Sequence, residues 1–168
     1  NPDCIEFDDK IIFKPKETTC EFNNLEFKTS LTFDENGRYS NNFRDFTKKS
    51  IVVLGDSHAM GWGVNDNETF SYLLESKINR PVYNLSISGF GTVRQLIRLQ
   101  NSKLLEGTDT ILIQYCFNDF GENKDFNLNI SEQEAQEKYD LMQSITKLSF
   151  YKKLKKTLRY SATIPIDI

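Results

Sequence analysis

Three short apolar runs punctuate the middle of the chain: IVVL (51–54), PVYNL (81–85) and TILIQYC (110–116). Their brevity and β-branched content predict strands. After the first run, ETFSYLLESKI (68–78) places Phe70, Leu73, Leu74 and Ile78 on one helical face. After the second, a helix starting at Thr92 carries Val93, Leu96, Ile97 and Leu104. Alternating strands and helices predict parallel strands joined by right-handed crossovers, with ligands bound at the carboxyl ends of the strands. All three predicted strands end in unusual loops: GDSH, SISGFG and FNDFGEN.

The flanks carry other patterns. Residues 1–49 read as a β-rich lead-in in which Ile5 and Phe7 alternate and Phe22, Leu25, Phe27, Leu31 and Phe33 recur among polar residues. Within FDENGRY, Asn36-Gly37 is a two-residue hairpin signal, because both residue types tolerate positive φ. Residues 50–168 form the predicted main domain, with a helical extension over about 131–160. Ser131 and Glu134 fit a capping box, and Ala135, Tyr139, Met142 and Ile145 fall on one face of the helix they open. Between Lys147 and Arg159 the chain has six basic residues and no acid, with Leu148, Tyr151, Leu154 and Leu158 at helical spacing. Such a segment is either a solvated basic face or a helix for a membrane surface or a partner.

Composition narrows the partners. The chain has 168 residues, enough for one domain with a real core. A net charge of −3 offers no basic field for nucleic acid. No apolar run approaches the roughly 18–20 residues of a membrane helix. Cys4 and Cys20 are either a disulfide formed in an oxidising compartment or two free thiols, and Cys116 closes an apolar run. No zinc-ligand spacing is seen. No cofactor or metal is expected: GFGTVR lacks the third glycine of a dinucleotide fingerprint, GWG (61–63) is no better, and DFG (119–121) has no kinase partners upstream.

Taken in order, LGDSH after the first strand, NLSISGFGT after the second and FND after the third resemble the first three sequence blocks of the SGNH, or GDSL-type, hydrolases. The likeness runs over about residues 50–120 and extends weakly into LTFDENGRYSNNF. It implies a three-layer α/β/α, flavodoxin-like fold with a parallel sheet, and hydrolysis or transfer of acyl esters. It also implies that Ser57 is the nucleophile. The amides of Ser57 and Gly89 and the side-chain amide of Asn118 would then form the oxyanion hole. Fixed N–H donors aimed at a developing oxyanion stabilise it without reorganising, glycine permits close backbone approach, and asparagine donates while staying neutral. Each residue also has a plainer role: Ser57 as a helix cap, Gly89 as a turn glycine, Asn118 bonding its own loop. Asp56 and Asp119 are expected to brace these loops.

In that family a D-x-x-H block supplies the base and its orienting aspartate, and this chain has no such block. His58, the only histidine, is a poor substitute, because successive residues entering a helix point about 100° apart. Two readings stay open. Either the chain stops at SATIPIDI before the block that carries the base, leaving its sheet incomplete at the C-terminus, or it binds without turning over. The sequence also opens on Asn1, so a preceding leader, anchor or domain is expected. The functional expectation is a serine esterase or O-acyl, in particular O-acetyl, transferase acting outside the cytoplasm on a glycan or lipid ester. The alternative is a non-catalytic glycan-binding or scaffolding module.

Overall fold

The computed structural model of the protein describes residues 2–23, 26–39 and 49–161, and the side chains of residues 3–147 among them. A two-stranded antiparallel sheet of β1 (Ile5–Asp8) and β2 (Ile12–Pro15) comes first. Then β3 (Thr19–Asn23), β4 (Lys28–Asp34) and β5 (Gly37–Arg38) run antiparallel along one side of a six-stranded sheet. The remaining elements are β6 (Ser50–Leu54), α1 (Ser57–Met60), α2 (Phe70–Ile78), β7 (Val82–Asn84), α3 (Thr92–Gln100), β8 (Thr108–Ile113), α4 (Phe117–Asp125) and α5 (Glu132–Ser161). The strand order is β3-β4-β5-β7-β6-β8, with β6 parallel to both β7 and β8. The lead-in therefore continues the same sheet, joining it where Arg38 of β5 meets Asn84 of β7.

The three parallel strands are the three apolar runs. Alternation along β6 sends Ile51 and Val53 to one face, against Ala59, Val82 and Leu74. Val52 and Leu54 go to the other, against Leu85 and Leu99. A strand covered on both faces has no polar side, so its sequence reads as continuous hydrophobicity. Each such buried side chain is worth about 1.5–3 kcal/mol. Placing β6 between β7 and β8 makes it the point where successive crossovers depart in opposite directions, the usual place for a ligand crevice in open α/β sheets.

Several local expectations are corrected. On α2 only Leu74 packs into the core, while Phe70, Leu73 and Ile78 are exposed and Ser71 and Glu75 are buried. The buried pair has polar work: Glu75 accepts from Val82 N (2.8 Å) and Ser71 from the Asn84 side chain (3.0 Å). On α3, Leu96 is exposed and Arg94, Gln95 and Leu99 are buried. The β4–β5 hairpin forms, with Glu35-Asn36 as its two-residue loop and Gly37 pairing with Asp34. Gly37, at φ 108°, lies so close to β7 that a Cβ would overlap the Asn84 carbonyl.

Cys4 and Cys20 are joined as a disulfide with Cα atoms 5.9 Å apart, linking the small sheet to the large one. Ser131 caps α5 by accepting from Glu134 N, while the Glu134 carboxylate pairs with Lys138 rather than completing the box. α5 rests on the small sheet: Tyr139 stacks edge-on to Phe7 and donates to Ile5 O. Ala135 is buried as expected, and Ile145 is exposed. The basic side chains beyond Lys147 lie outside the described residues. Among the described residues no helix is long and apolar enough to cross a membrane.

Candidate active site at the strand ends

β6 ends at Leu54, and the chain turns into α1 through Gly55 and Asp56. A Cβ at Gly55 would stand 2.4 Å from the Ala59 side chain, so the turn requires glycine. The cap of α1 is Asp56, buried, whose Oδ1 accepts from His58 N at 2.9 Å. Ser57 is therefore spared the capping role. It stands half-buried in the first turn, and its hydroxyl makes no hydrogen bond among the described residues. Gly61, left-handed at φ 81°, stops the helix after one turn.

Arg38 holds this turn from below. Its buried guanidinium donates to Met60 O and Val64 O, each at 2.7 Å, to Gly61 O, and to Asp66 Oδ1 at 3.2 Å. Burial lowers its pKa, and Asp66 opposes that shift. Sequence reasoning missed Arg38, because its partners are mostly backbone carbonyls 22–28 residues away.

The loop after β7 is stitched to β6 by Leu85 N to Val53 O (3.0 Å) and Ile87 N to Gly55 O (3.2 Å). Gly89 follows at φ 80°, exposed, with open space where a Cβ would be. The Gly89 carbonyl is fixed by Arg94, whose Nη2 also pairs with Glu122 at 2.6 Å and whose guanidinium lies over the Phe90 ring at 4.1 Å. Burial lowers the Arg94 pKa against the raising influence of Glu122. Arg94 is a second residue the sequence reading passed over, treating it only as part of a failed glycine fingerprint.

The loop after β8 closes the set. Gln114 N donates to Leu54 O at 2.9 Å, and Gln114 Oε1 accepts from Ala59 N at 3.3 Å. Asn118 is half-buried in the first turn of α4. Asp119 is fully buried and accepts from Cys116 N at 2.9 Å, so it braces the loop as expected of it and of Asp56. Asn123 on α4 accepts from Val93 N, tying this loop to the one after β7. Ser57, Gly89 and Asn118 thus stand on three mutually bonded loops at the carboxyl ends of three adjacent parallel strands.

His58 is 72% exposed and directs Nδ1 to Asp56 Oδ1 at 3.2 Å. No hydrogen bond joins its ring to the Ser57 hydroxyl among the described residues. Beside the loops lies a cavity of about 240 Å3, largely apolar, whose walls include Phe33, Met60, Trp62, Ile87, Ser88 and Met142. Met60 is one turn beyond Ser57, and Ser88 adjoins Gly89.

The profile of the GDSL-like lipase/acylhydrolase family matches residues 51–166, which spans all three loops and the strands that carry them. The chain belongs to this family. Neither a curated protein nor a solved structure gives a significant match. Membership accounts for the α/β fold with its parallel β7-β6-β8 core and makes ester hydrolysis the chemistry of the family. Esters are accordingly the substrate class of the GDSL-like fold seen here.

Proposed function

We propose that this chain carries the nucleophile and oxyanion hole of a serine ester hydrolase or O-acyl transferase. Ser57 attacks the ester carbonyl, and the resulting oxyanion is received by the amides of Ser57 and Gly89 and by the Asn118 side chain. The observation that carries this reading is the placement of those residues on bonded loops at three successive strand ends, with Asp56 taking over the cap and leaving the Ser57 hydroxyl uncommitted. The first turn of α1 adds the positive end of its backbone dipoles where negative charge develops. His58, turned toward Asp56, is not the base in this reading.

The apolar cavity beside Ser88 and Met60 suits the acyl or alkyl portion of the ester. The likeness of GDSH to the serine block of carbohydrate-acetylating members supports an acetylated glycan as the other portion. Water or a sugar hydroxyl can resolve the same acyl-serine, so hydrolase and transferase share every step up to that point. The Cys4–Cys20 disulfide supports an extracytoplasmic setting.

Fluorophosphonate labelling followed by peptide mass analysis tests the nucleophile. We expect slow, single-site labelling on Ser57, abolished in Ser57→Ala. Labelling confined to any other residue of the folded chain would overturn the assignment. Incubation with an acetyl donor and glycan acceptors separates the two outcomes: acetylated glycan marks a transferase, and free acetate alone a hydrolase.

A further inference from the structure

Sequence spacing gave no hint of a metal site, yet the sheet brings three donors of different kinds together at the mouth of the β6/β8 crevice. The ligand atoms of Asp56, His58 and Cys116 all lie within 4.8 Å of one another. Zinc bonds of about 2.0–2.3 Å at tetrahedral angles separate donor atoms by about 3.4–3.6 Å. Asp56 Oδ1 and His58 Nδ1 are already 3.2 Å apart. Closing the set therefore takes side-chain movement on the order of 1 Å, which an exposed imidazole can supply.

The surroundings suit a cation. Oδ1 of Asp56 can exchange its contact with His58 Nδ1 for the metal while still accepting from His58 N, so the cap stays intact, and Oδ2 is left without a donor among the described residues. Asp119, fully buried three residues beyond Cys116, likewise has an Oδ1 with no donor among the described residues. Two carboxylates thus stand beside Cys116, one near its thiol and one at its backbone N–H. A thiol, an imidazole and a carboxylate together select a borderline ion such as zinc over magnesium or calcium, which prefer all-oxygen shells.

We propose that Asp56, His58 and Cys116 bind one zinc-class divalent cation, with a fourth coordination position open toward solvent. Binding the cation as a thiolate displaces the Cys116 thiol proton to solvent. The site is separate from the ester reading, because none of its ligands is the nucleophile or an oxyanion donor.

Cobalt(II) is the probe, since thiolate coordination gives a near-ultraviolet charge-transfer band. With the disulfide intact, Cys116 is the only one of the three cysteines that can produce it. Titration of the 168-residue chain should give the band at one equivalent, and added zinc should remove it. Cys116→Ser should abolish it, and His58→Ala, at an exposed position, should weaken cobalt binding at least about tenfold. Ser57→Ala should bind cobalt as wild type does. Absence of the band in the folded wild-type chain overturns the proposal, as does unchanged cobalt affinity in His58→Ala.

Discussion

Asn118 and Arg38 illustrate two ways a single residue serves the site. In the proposed reading Asn118 offers one neutral donor, and its replacement should leave Ser57 and the fold in place. Asn118→Ala should slow acylation of Ser57 by p-nitrophenyl acetate by about 10²–10³, or about 2.7–4 kcal/mol of transition-state stabilisation, while ester binding barely changes. Stopped-flow release of nitrophenolate measures this. Arg38 lies under the serine turn, and its removal takes a buried charged donor from the Met60, Gly61 and Val64 carbonyls and from Asp66. Arg38→Met should cost about 3–5 kcal/mol in urea unfolding, because a buried pair loses one partner. The two residues also differ in legibility. Asn118 stands in a short motif with fixed order relative to Ser57 and Gly89, whereas Arg38 acts through carbonyls of a distant loop, and backbone acceptors leave no mark on sequence.

At the scale of elements, β6 was legible because burial on both faces demands an unbroken apolar run. The inward faces of α2 and α3 were not. Ser71 and Glu75 are buried because they find partners on β7, and Gln95 because it donates to the Phe90 carbonyl in the loop after it, whereas hydrophobic periodicity counts such residues as solvent-facing. The Asp56–His58–Cys116 cluster was hidden for a related reason: parallel pairing of β6 and β8 brings together residues about sixty positions apart along the chain. α5 supplies Met142 and Thr146 to one wall of the apolar cavity, which gives that helix a testable part in substrate choice. Thr146→Trp should fill the cavity from the α5 side. Activated esters of six or more acyl carbons should lose at least about tenfold in acylation rate, while acetyl esters stay within about twofold, a difference of about one to two buried methylenes. Equal loss across chain lengths would remove the cavity from substrate binding.

For the molecule as a whole, the small β1–β2 sheet, α5 and the main sheet meet around that cavity, and Cys4 forms part of its wall. A cross-link closing a loop of about sixteen residues removes about 3 kcal/mol of chain entropy from the unfolded state. Reduction of Cys4–Cys20 should lower the stability of the folded chain by that order in denaturant titration, with Cys4→Ser/Cys20→Ser as the matched control. Beyond stability, the bond couples pocket shape to redox environment. Once the bond is reduced, the small sheet stays joined to the main one only through residues 16–18, packing and surface contacts such as Lys10 to Asn101, so the cavity wall that includes Cys4 should loosen before the mutually bonded strand-end loops do. If the proposed acyl site is that cavity, reduction should lower acylation by long-chain activated esters more than by acetyl esters.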